Sequence, residues 1–461
     1  MPIKGAFIVP HPPMLIPEIG GGQEKKIQKT IDSYEKIAKK ISEIKPALIV
    51  ITTPHSIMYS DYIHISPGEG SKGNFREFGE VEVGMQVEYD REFVQKLSVL
   101  AEENNIPAGT LGEKKKSLDH GVMVPLYFIN KYYTDYKIVR ISISGVSFID
   151  HYKFGKCIKK IADEIDKDIV FISSGDLSHM LKNEGPYGYR EEGHVFDREV
   201  TKAMKSGDFL EFLKFDEEFC SHAAECGLRS FIIMSGALDG KKVNPNLLSY
   251  EGPFGVGYAV ASYEVIGDDE NRHFDQVYID SEIERIDALK KEEDDYVKLA
   301  RETLESYVIN HRKIKKSDML NPELLNNKAG VFVSLKLDGQ LRGCIGTIEP
   351  TTESIADEII RNAISAGTED PRFYPVTKEE LKRLVYSVDV LGKPESIATR
   401  DDLDPKKYGV IVQKGKKSGL LLPNLEGIDT VEEQVSIALK KAGIGLNENY
   451  NMLRFEVVRH K

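Results

Sequence analysis

The chain has 461 residues, 41% hydrophobic and 30% charged, which exceeds one ordinary core and points to two globular domains, with three as the alternative, rather than a disordered chain. A formal net charge of -12 repels phosphate backbones, and the run Lys114-Lys115-Lys116 is short enough to be a solvated loop, so no nucleic-acid partner is expected. No apolar run is long enough for a membrane span, and Cys157, Cys220, Cys226 and Cys344 form no CxxC pair, so the expectation is a cytoplasmic chain with free thiols and no membrane partner.

The first half alternates strand and helix signals. Residues 5–10 (GAFIVP) read as a first strand rather than a signal peptide, and residues 24–44 carry Ile27, Ile31, Tyr34, Ile37, Ala38 and Ile41 at helical spacing. Residues 46–54, 136–144 and 167–176 are continuous apolar runs, the mark of strands buried on both faces, with a helix near 150–165. Residues 71–88 read as an insertion or hairpin, and 261–267 as the last strand of an α/β unit with a central sheet flanked by helices. The charged stretch 268–290 reads as a linker, separating residues 1–267 from a second, α+β domain at 291–461. That domain opens with a helix at 294–310, then a hairpin at 330–346 with an Asp-Gly turn, and a helix at 354–367 closed by Gly367. Strands at 384–392, 408–423 and 453–461 and a helix at 430–442 complete it.

Of eleven histidines, His11, His55 and His179 each follow a predicted strand. The crevice beyond strand carboxyl ends is the usual ligand site of open α/β sheets, so separate strands deliver three imidazoles to one place. Pro10, Pro12 and Pro13 around His11, and Pro54 before His55, stiffen the loops that aim the rings. Imidazole is both the commonest metal ligand and the natural acid/base near neutral pH. His120, opening an apolar helix after Asp119, is a fourth candidate; the remaining histidines lack such a setting.

The segments Pro10-His11-Pro12-Pro13, Thr53-Pro54-His55-Ser56, Asp119-His120-Gly121, Ser174-Gly175-Asp176-Leu177-Ser178-His179, Ala224-Glu225-Cys226-Gly227-Leu228-Arg229 and the stretch 251–258 resemble, in order and spacing, the LigB subunit of class III extradiol dioxygenases and the related Memo proteins. The resemblance covers nearly all of residues 1–265. It implies a 2-His-1-carboxylate Fe(II) site, with His11 and His55 as ligands and Glu225 as the carboxylate, that cleaves a catechol-like aromatic with O2. It implies His179 as the acid/base, with Asp176 orienting it and His120 lining the O2 or substrate side. In Memo-like proteins a cysteine of a similar Cys-Gly segment takes the third position, which makes Cys226 the competing ligand. Hard oxygen donors suit Fe(II) and give Glu225 the preference, whereas a thiolate would favour zinc or copper. Arg190 and Arg229 are candidates for holding a substrate carboxylate, or simply salt-bridge partners. A zinc-activated water for hydrolysis is a third reading of the same pocket.

In the second half Leu341-Arg342-Gly343-Cys344-Ile345-Gly346, residues 362–376 and Ser387-Val388-Asp389-Val390-Leu391 resemble the AMME-chromosomal-region family. Joined to a Memo-like half, this resembles the AmmeMemoRadiSam system proteins and implies a radical-SAM protein as partner. A guanidinium beside the thiol would favour the thiolate, so Cys344 is a candidate nucleophile or redox group, or else a small residue in a tight turn. Asp370, Arg372 and Tyr374 either line the same cleft or close the turn.

Overall fold

Four apolar segments of the first half lie side by side as parallel strands, an arrangement that only burial on both faces permits. The computed structural model describes residues 2–114, 117–185, 187–315, 321–425 and 427–461, so Lys115 and Lys116 of the basic run lie outside the described residues. Two units divide the chain, Met1–Ile279 and Asp280–Lys461.

The sheet of the first unit holds β1 (Ile3–Val9), β2 (Leu48–Thr53), β3 (Lys137–Ser142), β4 (Ile169–Ser174), β5 (Lys241–Glu251) and β6 (Tyr258–Asp268). Their spatial order is β3-β2-β4-β1-β6-β5. The first four are parallel, and β6 and β5 add antiparallel to the side of β1. Helices α1 (Gln28–Ile44), α2 (Arg91–Glu103), α3 (His120–Asn130), α4 (Phe148–Glu164), α5 (Glu191–Ser206) and α6 (Leu228–Ala237) cover it. The period of two along each strand sorts the core: Phe7, Val9, Ile49 and Ile51 pack under α1 and α3, while Ala6, Ile8, Leu48 and Val50 pack under α2, α4, α5 and α6. Pro245 sits within β5, which sequence reasoning did not read as a strand; proline is tolerated there because β5 is the sheet edge. A hairpin of Gly70–Asn74 and Gly84–Glu88 stands where the insertion at 71–88 is expected.

The expected linker at 268–290 is instead the end of β6 followed by helix α7 (Phe274–Glu292). Its signal is helix propensity and charge spacing rather than apolar periodicity: Glu282 pairs Arg285 at 2.7 Å and Asp287 pairs Lys290 at 3.5 Å, each three residues apart.

The second unit is an α+β domain. Val331–Leu337 pairs antiparallel with Gln340–Gly346 on one side and Leu384–Leu391 on the other, with Val457–His460 beyond. Asp338 and Gly339 turn the hairpin with φ of 51° and 83°, the left-handed pair an Asp-Gly turn supplies. Asp295–Asn310 and Ile355–Thr368 pack Leu304, Ile359 and Ala363 against Val333, Leu335 and Val388. A second four-stranded antiparallel sheet packs Val410 and Val412 against Val435 and Leu439 of the helix Val431–Ala442. No helix among the described residues is long and apolar enough to cross a membrane.

Candidate metal centre

Because β1, β2 and β4 run parallel, their carboxyl ends share one edge, and His11, His55 and the segment from Gly175 to His179 all emerge there. The Nε2 atoms of His11 and His55 stand 2.8 Å apart. The Cys226 thiol approaches the same His11 nitrogen at 3.7 Å. Among the described residues these three form a group whose ligand atoms all lie within 4.8 Å of one another. A tetrahedral ion with bonds of about 2.0–2.1 Å to nitrogen and about 2.3 Å to sulfur sets its nitrogen ligands about 3.3 Å apart and nitrogen and sulfur about 3.6 Å apart. The donor set is therefore of the right kind and nearly the right size for one transition-metal ion. Two Nε2 atoms at 2.8 Å face each other lone pair to lone pair unless a proton or a cation lies between them.

The surroundings favour the ligating form of His11 and set a condition on the thiol. Burial lowers His11 well below the usual imidazole range, reinforced by His55, His120 and His179, so it is neutral. Its Nδ1 lies 3.0 Å from the Ser174 hydroxyl, which turns Nε2 toward the group, and its backbone amide donates to Asp176 at 2.8 Å. Burial first, then Asp176 and Glu225, push the Cys226 thiol well up, so the free site holds a thiol and a bound cation would be needed to draw off its proton. The His55 loop is held by a relay: its amide donates to the Thr53 hydroxyl at 3.2 Å, which donates to Asp119 at 2.6 Å. Asp119 also accepts the Val122 amide and so caps α3, fixing His120 at the helix start.

Glu225 stands apart from this group, contrary to the preferred ligand set. Its carboxylate accepts the Leu228 amide at 2.7 Å, at the start of α6. Ala224, in the left-handed conformation at φ 49°, ends the preceding short helix, and of the two residues that follow it is Cys226, not Glu225, that joins the histidines. The helix amide, an ordinary attractor of carboxylates, holds the oxygen ligand elsewhere.

The other expected residues lie around the group. His120 stacks near His55 with ring centroids 4.0 Å apart and is 5.4 Å from His11; burial lowers it to about 4. His179 presents Nδ1 to the Ala224 carbonyl at 2.6 Å; the carbonyl can only accept, so Nε2 carries the lone pair. Asp176 holds the His11 loop through the His11 amide at 2.8 Å, and its other oxygen lies 3.9 Å from His11 Nε2, beside the group, rather than orienting His179 as expected; burial raises its carboxyl to about 7. Ser174 and Asp119, which position His11 and His55, appear in the sequence only as members of motifs and carry no expected role; a hydroxyl ending an otherwise apolar buried strand was the available signal for Ser174. A cleft of about 1360 Å³ opens beside the group, lined by His55, His120, Phe78, Met123 and Arg140 among others.

In the second unit the expectation for Cys344 needs correction. Arg342 is engaged by Glu380 at 2.6 and 3.2 Å, not by the thiol. Burial raises the Cys344 thiol despite the Ser334 hydroxyl at 3.2 Å and the charge of Arg372, so the thiolate is not favoured. Asp370 accepts the Cys344 amide at 2.9 Å and grips Arg372, which holds its carboxyl at about 2, while Tyr374 is 90% exposed. These contacts fix the backbone around Cys344.

The model of the catalytic LigB subunit of aromatic ring-opening dioxygenase matches residues 5–261, and the AMMECR1 model matches 297–460. Protein CA_C1420 of Clostridium acetobutylicum is 48% identical over 100% of both chains. A Thermotoga maritima protein is 51% identical over 36% of this chain and 97% of its own. Among solved structures, an uncharacterized protein, PH0010, from Pyrococcus horikoshii is 35% identical, covering 36% of this chain and 88% of its own, with a TM-score of 0.33. The chain thus belongs to the LigB family through its first unit and carries an AMMECR1 domain as its second.

Proposed function

We propose that the first unit is a metal-dependent oxidoreductase that holds one transition-metal ion on His11, His55 and Cys226 and acts with O2 on a small catechol-like aromatic. The convergence of three donors from three separate segments carries this reading. The ion, Fe(II) for ring cleavage of the extradiol type, would supply Lewis acidity and electron exchange with O2. His179, with its free Nε2 lone pair, takes the proton of a substrate hydroxyl and returns it. His120 and Phe78, whose rings meet at 5.1 Å, offer an aromatic wall to the ring. Asp176 and Ser174 hold the His11 loop and ring in register. A reduced Cys226 suits the cytoplasm expected from the free thiols.

One observation favours a second reading. A thiolate in place of the carboxylate suits copper or zinc and supports a Memo-like redox module that works with a radical-SAM partner without opening rings. Metal analysis of anaerobically purified protein, followed by aerobic turnover of a catechol panel, separates the two. Iron with a coloured ring-opened product supports the first. Stoichiometric copper or zinc without turnover supports the second, and no metal at all refutes both.

A further inference from the structure

Strand β3 reads KIVRIS, and its fourth residue is a guanidinium inside a buried strand. Arg140 is only 2% exposed and lies on the same face of the strand as Ile138, which packs with the α3 side of the core. Its Nε donates to the Ser66 hydroxyl at 2.7 Å and its Nη1 to the Ser117 carbonyl at 3.0 Å; its Nη2 makes no hydrogen bond among the described residues. The nearest carboxylate oxygen, Asp119 Oδ2, is 3.9 Å from Nη1 and accepts no hydrogen bond among the described residues, since Asp119 bonds through Oδ1. Arginine cannot shed its charge at any ordinary pH, so a buried one with a spare donor edge is held ready for an anion. Arg140 lines the cleft that His55 and His120 also line.

We propose that Arg140 anchors an anion subsite in this cleft, for the carboxylate of a small molecule presented to the metal group. A planar carboxylate matches the spare guanidinium edge. A phosphate dianion would set two charges beside Asp119, which already stands 3.9 Å away. The arginines expected from sequence to hold a carboxylate do not serve: Arg190 is exposed, and Arg229 is taken up by Glu217 at 3.3 Å. The inference rests on the proposed metal centre for what the carboxylate is presented to, not for the binding itself.

The test is calorimetric titration of the full-length, metal-free protein with benzoate, its neutral isostere benzamide and inorganic phosphate. Benzoate is expected to bind about tenfold or more tightly than either. R140Q should lose that preference while keeping its metal capacity and a cooperative, if lower, melting transition, since the hydrogen bonds to Ser66 and Ser117 go with the guanidinium. No preference in the wild type, tighter phosphate binding, or a preference surviving in R140Q overturns the proposal. Should R140Q fail to fold, the wild-type Arg140 Nε resonance decides: a shift with benzoate and not benzamide supports the subsite, and an unmoved resonance overturns it. Metal content is measured separately, so benzoate binding through Arg140 in a chain that takes no metal upholds the subsite and removes the metal reading.

Discussion

Replacing Glu225 by Gln and, separately, Cys226 by Ala should split stability from metal binding. The side-chain amide oxygen of the E225Q variant can still accept the Leu228 amide, now 2.7 Å from the carboxylate. What is lost is the charge at the start of α6, worth about 0.3–1 kcal/mol. What is gained is relief from burying that charge, since burial raises the Glu225 carboxyl above its ordinary range. The two nearly cancel, so E225Q is expected to shift the melting temperature by no more than about 2–4 °C and to keep full metal stoichiometry. C226A removes one of three donors. Loss of a residue that merely supports a ligand costs about 10–100-fold in affinity, and loss of the donor itself should exceed that. Competition with a chelator of known affinity, read by elemental analysis, measures both variants. E225Q protein that loses its metal while C226A keeps it would refute the assignment of the third ligand.

Ser174→Ala frees the His11 ring and should weaken metal binding about 10–100-fold without unfolding the chain; an unchanged affinity would remove Ser174 from the site. Asp197, 1% exposed, accepts the Ser178 amide and the Tyr250 hydroxyl, and burial raises its carboxyl from 3.8 to about 7. The folded state therefore binds more protons than the unfolded one between these values, and the stability Asp197 contributes falls as pH rises from 3.8 to about 7. D197N should gain on the wild type by about 1.4 kcal/mol per pH unit between about pH 5 and 7 in urea titrations; parallel curves would contradict this. Cys344, raised by burial, should alkylate at about pH 7 more slowly than a free peptide cysteine, and a faster rate would restore the activated thiolate.

The histidine pair was legible because parallel strands deliver their carboxyl ends to one edge, so each apolar run followed by Pro-His announced its own destination. The third ligand was not. Glu225 and Cys226 are neighbours, and which of them turns inward depends on the left-handed Ala224 and on the free amide of α6, neither of which has a local signature. Arg140 was hidden differently: the strand reads as apolar overall, and a single charge inside it was absorbed into the pattern instead of being taken as its exception. Helix α7 was missed because its apolar spacing is weak, although its charges three residues apart spell a helix. For Cys344, adjacency in sequence to Arg342 misled, since Glu380 claims that guanidinium.

X-ray absorption at the edge of the metal taken up by the anaerobically purified chain tests the centre most directly. One sulfur neighbour at about 2.3 Å and two imidazole nitrogens at about 2.0–2.1 Å are expected, with the sulfur signal lost in C226A. A shell of nitrogen and oxygen alone, unchanged in C226A, would contradict it.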